Sequence, residues 1–68
     1  MAQLHFELDE REAKDMRTAL SIRLVGMREE LVHTDDREYR AYLKATIERL
    51  EVVLRRLDGI LAGQAPAP

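Results

Sequence analysis

The chain has no cysteine and no tryptophan, and its aromatic residues are only Phe6, Tyr39 and Tyr42. Without cysteine there are no disulfides, which fits a reducing compartment. No charged-then-apolar leader opens the sequence, and no apolar run approaches the roughly 20 residues of a membrane span. A cytoplasmic protein with no membrane attachment is therefore expected. So few aromatics leave little for single-stranded nucleic acid to stack on. Charge of one sign is also lacking: 11 basic residues stand against 13 acidic ones, so no global footprint for nucleic acid exists. Ser21 is the lone serine, His5 and His33 lie far apart, and no glycine-rich loop is present to cradle a phosphate. These gaps argue against an enzyme, and no cofactor is expected. Both prolines fall at positions 66 and 68, so nothing interrupts a helix over the body of the chain.

What is present is helical patterning in a chain of 68 residues, a length that buries little surface without staples or partners. "LDERE" places Asp9 as an N-cap with Glu12 three residues on, an Asp form of the capping box, with Leu8 at the staple position. The phrase returns as "TDDRE", with Asp35 as the cap and Glu38 its partner. Two cap signals one helix length apart predict an antiparallel helical hairpin, with helices over about 9–33 and 36–62. The first helix carries Ala13, Met16, Leu20, Leu24, Met27 and Leu31 on one face. The second carries Leu43, Ile47, Leu50, Leu54, Leu57 and Leu61 at alternating spacings of four and three. Tyr39, Thr46, Val53 and Ile60 add a flanking column at every seventh position. So wide a stripe suits a helix with two neighbours, and the fold class expected is all-α, two hairpins dimerising into a four-helix bundle.

Around this body, residues 1–8 form an arm. "QLHFEL" alternates polar and apolar with Leu4, Phe6 and Leu8 on one side, which reads either as a strand pairing with another subunit or as an extended segment laid across a bundle. Residues 63–68 are expected as a disordered tail, Gly63 ending the second helix. On that helix Glu51 and Arg55 stand four residues apart in the order that favours an ion pair.

The turn "EELVHTDDREYR", residues 29–40, has two readings. Glu30 and His33 form Glu-x-x-His, the spacing of carboxylate-bridged di-iron bundles. At about 100° per residue, however, Glu30 lies roughly 85° and His33 roughly 145° from the centre of the apolar face, whereas ligands must project inward. They remain weak metal candidates, and no metal is expected. The other reading makes Thr34, Asp35 and Asp36 the hairpin turn. Arg40 then pairs with Asp36 or Glu30, or bonds the last carbonyls of the first helix. Glu30, Leu31, Thr34, Asp35, Tyr39, Arg40 and Leu43 together resemble a signature of small uncharacterised bacterial helical-hairpin proteins, a resemblance that covers the turn and implies no activity.

The leading functional reading is a homo-oligomeric helical bundle with a protein-interaction, scaffolding or regulatory role, its partners being itself (a homodimer, or a tetramer) and another protein. Expected at the interface are Leu20, Ile22, Leu24, Val25, Gly26, Met27, Leu50, Val53, Leu54 and Leu57. Within "TALSIRLVGM", residues 18–27, Arg23 is the only charge, which predicts that the first helix crosses a second subunit near Ile22 to Gly26. RNA binding is the alternative. In length and architecture the chain is similar to the ROP repressor, a dimeric hairpin bundle that binds RNA. Arg11, Lys14, Arg17 and Arg28, placed away from the core stripe, would track phosphates. A carboxylate-histidine metal-binding bundle is the lesser alternative.

Overall fold

The structure is a computed structural model and describes residues 2–63. Two helices make up the fold, α1 over Glu10–His33 and α2 over Arg37–Gly63, joined by a turn of residues 34–36. No strand occurs among the described residues, and residues 2–8 run without regular structure into α1. The tail expected at 63–68 begins inside α2, since Gly63 is helical; residues 64–68, like Met1, lie outside the described residues.

α1 starts where the sequence places it. Asp9 has an extended backbone, its side chain accepts from the Glu12 N–H at 2.8 Å, and the Glu12 carboxylate accepts from the Asp9 N–H at 2.9 Å. Two backbone donors that a helix start leaves unpaired are thereby satisfied. α2 begins one residue later than expected, and the cap is Asp36, not Asp35. The Asp36 carboxylate accepts from the Glu38 N–H at 3.0 Å and more weakly from the Tyr39 N–H at 3.4 Å, and its carbonyl accepts from the Arg40 N–H at 2.9 Å. The capping box read from Asp35 and Glu38 therefore does not form. Replacing Asp36 by alanine should cost about 1 kcal/mol, within the 0.5–2 kcal/mol typical of caps. The exposed Asp35 should tolerate the same change within about 0.5 kcal/mol. Thermal melting of the two variants separates the assignments.

α1 ends at Thr34, whose N–H donates to the Glu30 carbonyl at 2.9 Å. The next carbonyls are taken by Arg40, reaching back from the first turn of α2. Its guanidinium donates to the Leu31 carbonyl and, at 3.1 Å, to that of Thr34. Of its possible partners in the turn, Arg40 thus takes the helix-end carbonyls, where a cation also complements the negative end of the α1 dipole.

The two stripes meet along the hairpin. Leu24, Met27, Leu43 and Ile47 are buried as one cluster, with Leu31, Leu50 and Leu54 packed against it, and Ala13 and Leu57 are buried nearer the open end. Burying a side chain such as Leu24 or Leu43 contributes about 1.5–3 kcal/mol. The packing is short of a full core, because Leu20, Leu50, Leu54 and Leu61 are only half-buried.

A candidate association surface

The two long edges of the hairpin differ. Along one edge, Arg17 pairs with Asp58 at 3.6 Å and Arg28 donates to Glu51 at 2.7 Å, each bond crossing from α1 to α2. These pairs close that edge. They also revise two expectations. Glu51 reaches across the hairpin to Arg28, whereas the sequence suggested Arg55 on its own helix. Arg17 and Arg28 stand beside the seam, not away from it: at roughly 100° per residue they fall only about 60–75° from the centre of the α1 stripe, within reach of α2 carboxylates. Of the basic residues proposed to track phosphates, Lys14 is also engaged, with Glu10 at 3.0 Å.

The other edge is open and apolar. Tyr39 and Glu30 mark it, since the Tyr39 hydroxyl donates to the Glu30 carboxylate at 2.8 Å and Arg23 stands 3.9 Å from the same carboxylate. At about 100° per residue, Tyr39, Tyr42, Thr46, Val53 and Ile60 share one side of α2, roughly 145° from Glu51 and Asp58. Tyr42, Val53 and Ile60 are all exposed, Ile60 at 57% of its surface, and Met16 on α1 flanks them. The rings of Tyr39 and Tyr42 stack at 5.9 Å. Near the open end of the hairpin, Phe6 and Leu8 of the arm line a shallow groove with Ala13, Leu57 and Ile60. Leu4 and Phe6 are nevertheless 88% and 73% exposed, so the arm is not laid down as a cover on its own chain.

The expected interface residues divide accordingly. Leu24, Met27 and Leu57 are covered by the hairpin's own packing and have almost no surface left for a partner. Leu20, Gly26, Leu50 and Leu54 are half-covered, Val53 lies exposed on the open edge, and Ile22 and Val25 lie exposed elsewhere, on the outer side of α1. The open edge also carries Tyr42 and Ile60, which are not among the expected interface residues. The column at every seventh position already contained Ile60, and Tyr42 stands three residues beyond Tyr39 on the same side.

Glu30 and His33, the weak metal candidates, have different surroundings. Glu30 is engaged by Tyr39 and Arg23, and His33 is exposed in the last turn of α1. Among the described residues no three His, Asp or Glu side chains gather closely enough to hold an ion. No helix among them is long and apolar enough to cross a membrane. Comparisons with family models, with curated proteins and with solved structures returned no match.

The Tyr39 contact has a titration signature. Its hydroxyl donates a hydrogen bond to Glu30, and that bond, some desolvation and the nearby carboxylate charge all raise its pKa above the ordinary value near 10. A folded-state pKa raised above the unfolded one contributes stability that is fully present below about pH 10 and is lost as pH rises through the higher folded value. In a Tyr42→Phe background, where Tyr39 is the only tyrosine, the ultraviolet phenolate titration should have its midpoint above 10. Adding Glu30→Ala should bring it back down. A midpoint unchanged by Glu30→Ala means that the bond does not persist in solution.

Proposed function

We propose that the protein is a homo-oligomeric helical bundle with a scaffolding or protein-interaction role, and that two hairpins associate through their open edges into a four-helix bundle. The observation that carries this is the asymmetry of the hairpin: ion pairs close one edge, while Met16, Tyr42, Val53 and Ile60 stand exposed along the other. Size supports it. Helices of 24 and 27 residues are roughly 36–40 Å long, and two side by side present about 700 Å², close to the roughly 800 Å² that each partner gives to a stable interface. Charge supports it too, because Arg23 and Glu30, which border this edge, neutralise one another, so two copies can face each other without like-charge repulsion.

A single cysteine introduced into this cysteine-free chain reads the edge directly. With Val53→Cys, the rate of labelling by a maleimide should fall as protein concentration rises. With Glu48→Cys, on the outer side of α2, it should stay constant. Equal, concentration-independent rates at both positions would overturn the proposal.

A further inference from the structure

Asp58 is followed by Gly59, whereas Asp9, Asp15, Asp35 and Asp36 are each followed by a residue with a side chain. The Asp–Gly pair has a chemistry of its own. With no side chain beside it, the glycine nitrogen is open to the preceding carboxyl group, and the two can close a five-membered ring. A bond forms between the Gly59 nitrogen and Cγ of Asp58, the nitrogen gives up its proton, the Cγ–OH bond breaks and one water leaves. Water then adds back at either carbonyl of this succinimide. Opening at the main-chain carbonyl leaves Gly59 joined through the Asp58 side chain, an isoaspartyl link with one extra methylene in the backbone and no net change in atoms.

Two features hold the reaction off. Both residues lie within α2, where the helix commits the Gly59 N–H to the carbonyl four residues back and so fixes the nitrogen. Arg17 of α1 also stands 3.6 Å from the Asp58 carboxylate and draws it across the seam, whereas attack needs it folded over the next nitrogen. Neither hold is strong. The side chains of the pair are 42% and 54% exposed, and an ion pair so open to water contributes little. Beyond it, the last turn of α2 carries no basic side chain to complement the dipole, and Gly59 and Gly63 are poor helix formers. Packing does not demand a glycine here either, since a Cβ built at Gly59 meets nothing within 4 Å.

We infer that Asp58–Gly59 is a self-modification site, guarded by Arg17 and by the last turns of α2, which converts to isoaspartate when this end of the hairpin opens. The conversion needs only water. Asp58 lies on the ion-paired edge, so a partner on the open edge leaves it accessible. The extra methylene breaks the helical register beyond residue 58 and releases Ile60 from the groove it lines with Phe6, Leu8 and Leu57. Isoaspartate at this position therefore records how often the open end has frayed.

The test is to age the full chain at neutral pH and body temperature and to measure isoaspartate at residue 58 by peptide mapping. Wild type, Arg17→Gln, Arg28→Gln and Gly59→Ala are compared, with wild type in urea as the unguarded reference. Native wild type should convert measurably, and at least about tenfold more slowly than in urea, because reaction follows the locally opened population. Arg17→Gln should convert about two- to fivefold faster than wild type, the change that an exposed ion pair supports. Arg28→Gln removes the other pair across the same edge and should keep the wild-type rate. Gly59→Ala has room for its methyl group and should form almost none. Absence of isoaspartate from the native protein overturns the inference. So does an Arg17→Gln rate no higher than that of wild type, or one matched by Arg28→Gln, since the rate would then read global unfolding and not a local guard.

Discussion

Leu43→Ala should leave the protein largely unfolded at room temperature. Leu43 has no exposed surface and sits at the centre of the cluster with Leu24, Met27 and Ile47. Removing a buried leucine side chain costs about 2–5 kcal/mol, the transfer term plus the cavity. A core in a chain this short supplies only about 3–5 kcal/mol, so the loss is comparable to the whole. Two helices cannot close on the cavity freely, because the Arg40 bonds fix the turn on one side and the Arg17 and Arg28 pairs fix one edge. Circular dichroism at 222 nm should show most helical signal gone. The matched control is Leu4→Ala, which removes an almost fully exposed side chain and should change stability by no more than about 0.5 kcal/mol.

Val53→Glu combined with Ile60→Glu should separate the copies. On a solitary hairpin both positions are exposed, and the two charges would cost little. Buried against a partner, fully covered aliphatic side chains contribute about 1.5–3 kcal/mol each. About half of each is already covered within the hairpin, so four side chains per dimer leave roughly 3–6 kcal/mol that depends on the partner. That raises the dissociation constant between about a hundredfold and ten-thousandfold. Because association stabilises only the folded form, melting should fall with it. An unchanged melting temperature and an unchanged mass would place the interface elsewhere.

Much of the fold was legible in the sequence because its signals are local. The Asp9–Glu12 box, the stripes and the absence of proline through the body all act within a few residues. The points missed depend on contacts between helices. Asp35 and Asp36 are adjacent and equally good caps. The choice between them goes with Arg40, one turn into α2, whose bonds to carbonyls of residues 31 and 34 tie the turn in place. Glu51 has Arg55 at an ideal local spacing, yet Arg28 lies nearer across the seam. Arg17 and Arg28 read as outer-face residues because a one-helix projection does not show how far a second helix extends around the first. For the association surface, periodicity identified the flanking column but could not show that one edge of the hairpin is closed by ion pairs and the other is not. The alternation of Leu4, Phe6 and Leu8 is a strand signal that meets no strand among the described residues.

Self-association is read most directly from the molar mass of the wild-type protein, measured by light scattering across a concentration series together with the melting temperature at each concentration. At least two chains per particle are expected at micromolar concentration, with a melting temperature that rises with concentration. One chain per particle throughout, with a melting temperature independent of concentration, would contradict self-association.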